Sequence, residues 1–213
     1  MDRYLTIRAK GHGEYEEKKS RFLGEAIPVK SEEEVLRHLE RIRKQYYDAR
    51  HHCYAYVIGE KSELKRASDD GEPSGTAGQP ILKVIEAGSG ITNVLIVVTR
   101  YFGGTLLGTG GLVRSYTQAA QLALADAGIV CMQEGVQLAL TMEYSLLDKV
   151  NYLIGKAGLK IGDTIYTDKV QIILCVPMDA LKHLEEQLTA AGSGSIQVET
   201  LEQGYYAFDT DAI

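Results

Sequence analysis

Residues 93–127 constrain this chain more than any other stretch. Asn93-Val94-Leu95-Ile96-Val97-Val98 is apolar and β-branched, the pattern of a buried strand. Leu112 to Ala127 is rich in Ala, Leu and Gln and reads as a helix. The intervening bend is glycine-rich: Gly103, Gly104, Gly108, Gly110 and Gly111 fill five of the nine positions from 103 to 111. A strand, a glycine bend and a helix can aim backbone N–H groups and a positive helix end at an anion. Arg100 and Arg114 flank the bend and bring guanidinium forks. The candidate anion or RNA contacts are therefore Arg100, Gly103, Gly104, Gly108, Thr109, Gly110, Gly111 and Arg114. The bend lacks the Gly-Lys-Ser/Thr ending of a Walker loop, and no G-x-G-x-x-G directly follows the strand, so neither nucleotide fingerprint applies. The competing reading is that the glycines only let the chain turn tightly and pack closely.

Charge separates the two ends of the chain. Residues 1–128 hold 18 Lys+Arg against 17 Asp+Glu, a net +1, whereas residues 129–213 hold 5 against 12, a net −7. All ten arginines lie between Arg3 and Arg114. A polyanion would be repelled by the second part, so any contact with phosphate belongs to the first. Cys53, Cys131 and Cys175 are odd in number and lack C-x-x-C spacing, which fits a reducing cytosol and free thiols. The charged N-terminus lacks a signal-peptide apolar region and no apolar run reaches spanning length, so the expectation is a cytoplasmic chain with no membrane contact.

In the first part, residues 1–18 read as a short strand or loose arm and Ser20 to Val29 as a strand. Ser31 and Glu34 form a capping box ahead of a helix whose apolar face is Val35, Leu36, Leu39, Ile42 and Tyr46. Ala49 to Gly59 leads into another strand, with Leu64 to Ser68 as its hairpin partner. His51, His52 and Cys53 alternate between faces of that strand and cannot converge on a metal, so no metal site is assigned. Asp69 to Pro80 is a loop rich in Gly, Pro and carboxylates, long for a plain connection. Asp69, Asp70 and Glu72 are candidates to hold Mg²⁺ beside a phosphate, or else turn-forming carboxylates in water. A helix through Ile81, Leu82 and Ile85 follows, with a stop at Gly88-Ser89-Gly90.

The long helix ends near Gly128, which sets the domain boundary: 1–128 and 129–213. After it, Val136 to Glu143 alternates as a half-buried strand. Leu146 to Ile154 marks a helix, Leu159–Thr167 and Val170–Val176 a hairpin, Leu181 to Leu188 a helix, and Ile196 to Tyr206 the last strand. This is βαββαβ, the ferredoxin-like order, with no catalytic constellation in it.

ASDDGEPSGTAGQP (67–80) and TRYFGGTLLGTGGLVRSY (99–116) closely resemble the two signatures of the IMPACT family, and KKSRF (18–22) and HHCYAY (51–56) also fit its pattern. The tail resembles the second domain of the bacterial, YigZ-like two-domain branch. The resemblance implies an α+β fold of two domains. The first would be shared with the second domain of a small-subunit ribosomal protein, and the ferredoxin-like tail with the last domain of a translocase-type elongation factor. Such kinship is analogy and does not itself assign an activity.

The leading reading is a non-catalytic, translation-associated binding or regulatory protein. Its first domain would contact RNA or a ribosomal or regulatory protein through Arg100, Arg114 and the bend, with Arg50 and Arg66 as lesser additions. No catalytic residue and no cofactor is assigned, and self-association is left open. The alternative is an enzyme or sensor for a small phosphorylated ligand, with Gly108–Gly111 around phosphate, Asp69 and Asp70 on Mg²⁺ and His51 or His52 handling a proton. A shared cleft of Asp69, Asp70, Arg100 and Gly108–Gly111 would favour that alternative, and a broad basic face would favour RNA or protein.

Overall fold

The apolar run at 94–98 forms the first five residues of the central strand of a five-stranded sheet. Both sheet faces are covered, which is why the run shows no polar alternation. The structure, a computed structural model, describes residues 3–87 and 90–209. The expected helix stop at Gly88-Ser89 lies outside the described residues. Contacts divide the chain into residues 4–130 and residues 131–209 with Arg3. The fold is α+β in two domains.

The first unit runs β1 (Tyr4–Ile7), β2 (Gly11–Glu17), β3 (Ser20–Pro28), α1 (Glu32–Gln45), β4 (His51–Ile58), β5 (Leu64–Ser68), α2 (Gly78–Ala87), β6 (Val94–Tyr101) and α3 (Gly108–Ala127). The sheet order is β2-β3-β6-β4-β5, and each neighbouring pair is antiparallel. So α1 joins two parallel strands, β3 and β4, that β6 separates. Likewise α2 joins β5 and β6 across β4. Two split βαβ units thus interlock through the strand that carries the glycine motif.

Strand parity sorts the side chains into two cores. Val94, Ile96 and Val98 face α2 and α3 with Phe22, Cys53, Ala55 and Tyr116. Leu95 and Val97 face α1 with Val35, Leu39, Ile42 and Tyr56. The α1 start is built as its sequence dictates: Glu34 N–H donates to Ser31 Oγ at 3.3 Å. The return bond lands one residue early, where Lys30 N–H donates to Glu34 Oε2 at 2.7 Å.

Two boundaries differ from the sequence reading, and both matter. β6 runs on to Tyr101, past the expected end at Val98, because Thr99, Arg100 and Tyr101 keep pairing with β3. α3 starts at Gly108, four residues before Leu112. Gly108–Gly111 are thus the first turn of the helix, and the bend proper is 102–107.

The second unit runs β7 (Ile129–Met142), a 3₁₀ turn (Tyr144–Leu146), α4 (Leu147–Lys156), β8 (Ile161–Tyr166), β9 (Val170–Pro177), α5 (Met178–Gly192) and β10 (Gln197–Asp209). β9 pairs antiparallel with both β7 and β8, and β10 also pairs with β7, giving the ferredoxin-like order β10-β7-β9-β8. Its core sits between this sheet and the two helices, with Leu138, Leu140, Ile172 and Leu174 meeting Val150, Ile154, Leu184 and Leu188.

Glu25 on β3 is only 2% exposed. Its Oε2 receives Lys10 Nζ and Arg41 Nη2, each at 2.7 Å. Burial works to raise its pKa, but the two cations outweigh burial and hold it below the ordinary carboxylate value. A folded pKa below the unfolded one adds stability above the unfolded value of 4.5, lost as pH falls through the folded pKa. Urea unfolding as a function of pH should show that loss in the wild type. Glu25→Gln should be less stable at neutral pH and flatter on the acid side. An unchanged acid slope would remove Glu25 from the account.

Candidate functional site

The two motifs meet through one buried carboxylate. On β6, parity turns Arg100 toward the α2 and α3 side, level with Phe22 of β3 and His51 of β4. Arg100 is 7% exposed, and its Nη1 lies 2.6 Å from Glu72 Oε1. Tyr116 on α3 donates its hydroxyl to the same oxygen at 2.8 Å. Burial, with Cys53 and Glu72 beside it, pushes the Tyr116 phenol far above its ordinary value, so it remains a donor. Burial likewise pushes the Cys53 thiol up, and its Sγ donates to Asp69 O at 2.9 Å, which makes Cys53 a packed donor and no nucleophile.

This geometry revises the part expected of Arg100. It is a strand residue paired with Glu72, and not an open guanidinium beside the bend. One group is left over: Arg100 Nε is buried without a hydrogen-bond partner. Leaving such a donor unsatisfied costs about 1–3 kcal/mol.

The carboxylate loop is likewise committed. Asp69 accepts the backbone N–H groups of Gly75, Ala77 and Gly78 at 2.8–3.0 Å and so caps α2. Burial opposes these bonds, but together they hold its carboxyl below the ordinary value. Asp70 accepts His52 N–H at 2.7 Å and an Arg43 guanidinium N–H at 3.3 Å. With Glu72 on Arg100, the three carboxylates point to three different partners. Among the described residues no three His, Cys, Asp or Glu side chains gather as metal ligands. His51 and His52 lie on opposite faces of β4. His51 donates Nδ1–H to Asp70 O at 2.9 Å, and His52 donates Nε2–H to Tyr46 O at 3.1 Å. The fold therefore does not bring Asp69 and Asp70 to the glycines as a shared phosphate and Mg²⁺ cleft.

What it does form is a half-open cavity of about 390 Å³ where β4 begins and β6 ends. Asp48, Arg50, His51, Arg100, Phe102 and Leu106 are among its lining residues. Phe102 is 55% exposed and lies 5.6 Å from the Arg100 guanidinium. Leu106 is 84% exposed. Tyr101 donates its hydroxyl to Asp48 Oδ1 at 2.8 Å, and its phenol is pushed up to about 12 by burial first and then by that carboxylate.

Around the bend stand cations with no carboxylate partner among the described residues. Arg21, Arg37, Arg41, Arg43, Arg66 and Arg100 all form ion pairs. Arg50 and Arg114 are exposed and form none. Arg66 pairs with Glu32, so it drops out of the proposed contacts, while Arg50 lines the cavity. Arg114 lies over the first turn of α3, its Nη1 3.7 Å from where a Cβ on Gly110 would sit. Neither packing nor φ demands glycine at Gly110, and the missing side chain leaves the N–H groups of an uncapped helix end open. Gly108, by contrast, needs its φ of +69°.

Lys18 and Lys19 complete this rim, and sequence reasoning gave them no role. They form a two-residue hairpin turn closed by Glu17 and Ser20, with φ of 47° and 64°. Such positions favour Asn and Gly, so the two lysines carried no turn signal. The bend docks on this turn: a Cβ on Gly103 would come 2.0 Å from Lys19 C, and Gly103 N–H donates to Ser20 Oγ at 3.0 Å. Phe102 and Leu106 were also passed over, although exposed apolar residues inside a glycine loop were readable as a signal.

Comparison with known proteins matches the Impact N-terminal domain to residues 18–124 and a domain of unknown function, DUF1949, to residues 140–195. The chain is 33% identical to IMPACT family member YvyE of Bacillus subtilis over 202 residues, 95% of this chain and 93% of that one. It is 35% identical to IMPACT family member YigZ of Escherichia coli over 188 residues, 87% and 92% of the two. A solved structure titled as that of a hypothetical protein shares the fold with a TM-score of 0.59 and 34% identity, over 95% of this chain and 98% of the other.

Glu72→Ala should destabilise the fold by about 3–5 kcal/mol, because it strands a buried guanidinium. Arg100→Ala should cost a similar amount, and the double variant much less than the sum. A double-mutant cycle by urea unfolding measures this; additive losses would mean that the pair is not coupled.

Proposed function

The chain belongs to the IMPACT family, and on that footing we propose that it is a non-catalytic, translation-associated protein that binds RNA through its first unit. The observation that carries the reading is the gathering of Lys18, Lys19, Arg50 and Arg114 around residues 102–111, unpaired with carboxylates among the described residues. Elsewhere in this unit Arg21, Arg37, Arg41, Arg43 and Arg66 are neutralised by ion pairs. Unpaired cations on a protein with a net charge of −6 are a local asset for a polyanion, because each displaces condensed counterions when it meets a phosphate. The exposed first turn of α3 adds backbone donors to the same face. Exposed Phe102 beside the cations supplies an aromatic face on which a base stacks, with exposed Leu106 as apolar surface next to it. The kinship with translation proteins that the family resemblance implies supports placing that RNA in translation.

Fluorescence anisotropy with a short unstructured RNA, from about 50 to 200 mM salt, tests this. Affinity should fall with salt, and the Arg50→Ala, Arg114→Ala double variant should bind more weakly with a shallower salt slope. Both side chains are exposed and unpaired, so the variant should keep the wild-type thermal melt. A folded variant with wild-type affinity and slope would remove this face from RNA binding, and a ribosomal or regulatory protein would then be the partner to seek.

A further inference from the structure

The charges inside the cavity differ from those around it. Arg100 is offset by Glu72 at 2.6 Å. Asp48 brings a carboxylate and Arg50 a second cation to the same lining. The cavity therefore carries charges of both signs, with donors and an acceptor side by side, while Lys18, Lys19 and Arg114 stand outside its lining. A phosphate gains most on the outer rim. What fits within is a flat group with an aromatic face, hydrogen-bond acceptors and hydrogen-bond donors.

We propose that this cavity takes one unpaired nucleobase from a single strand, while the strand's phosphates follow the outer cations. The inference rests on the RNA-binding reading and deepens it. The ring lies against Phe102, which is 55% exposed and already within 5.6 Å of the Arg100 guanidinium. A base carbonyl or ring nitrogen accepts from the Arg100 guanidinium, which lines the cavity. A base amino group donates to Asp48, whose carboxylate the Tyr101 hydroxyl holds in place. His51, held by its Nδ1–H bond to Asp70 O, adds its ring to the same lining. A volume of about 390 Å³ is that of a site for one small group. A duplex keeps its bases stacked and paired and cannot present one to such a cavity, whereas single strands splay theirs onto aromatic side chains.

The test uses the full chain and three probes: a single-stranded RNA, the same strand annealed to its complement, and the free nucleoside monophosphates. The single strand should bind at least about tenfold more tightly than the duplex. Phe102→Ala should weaken the single strand by about five- to hundredfold while leaving its salt slope and the duplex affinity unchanged. Lys18→Ala with Lys19→Ala should instead weaken both RNAs and flatten the slope. If the single strand binds but Phe102→Ala has no effect, the cavity assignment fails and the RNA-binding reading survives. If neither RNA binds, both fail. If a monophosphate binds as tightly as the strand, the cavity is a small-ligand site and the proposal is overturned. Phe102 is exposed at the bend, so thermal melts of the variant should match the wild type; a lowered melt is controlled by repeating the comparison with Phe102→Tyr, which keeps the stacking ring and should restore binding.

Discussion

The buried pair between Glu72 and Arg100 is the contact on which the first unit's loops depend. It joins a carboxylate from the Asp69–Pro80 loop to the penultimate residue of the central strand, and Tyr116 ties α3 to the same oxygen. Its neighbours in the loop serve the same end. Asp69 caps α2, and Asp70 fixes the start of β4. Ion pairs of this kind are seldom a net gain over apolar packing, since desolvation consumes most of the Coulomb term. Here the pair fixes the Arg100 guanidinium in the wall of the cavity.

The first unit sorts its cations by role. Where a positive side chain lies over the sheet or along α1, a carboxylate stands with it, as Lys10 and Arg41 stand with Glu25. Around the glycine bend the partners are missing. A near-neutral tally of charges over this half of the chain therefore hides a surface that is basic in one place. The acidic second unit, by repulsion, disfavours a polyanion on itself.

Much of the fold was legible because its signals were local. The capping box at Ser31 and Glu34, the alternation at 136–142 and the βαββαβ order each rest on residues close in sequence. The site was less legible because its decisive features are not local. Arg100 follows Val98 by two residues, and only continued pairing with Phe22 and His51 shows that it is a strand residue facing inward. Glu72 looked like one of three loop carboxylates, yet its partner lies 28 residues away. The glycines of the bend were read as one device and proved to be several: Gly103 for close approach, Gly108 for its φ, Gly110 for an open helix end. Lys18 and Lys19 were invisible as a turn because they occupy positions where composition points to other residues.

That turn has an implication for how the surface can be altered. Gly103 rests on the backbone of Lys19 and Ser20, whose main-chain atoms are its nearest neighbours. The path of the chain is fixed there while the chemistry displayed at its tip is free. Each lysine carries roughly 1–2 kcal/mol of left-handed backbone strain that asparagine or glycine would relieve. The tip is thus a point where thermal robustness and positive charge trade against each other, and where a designer could exchange one for the other without touching the sheet.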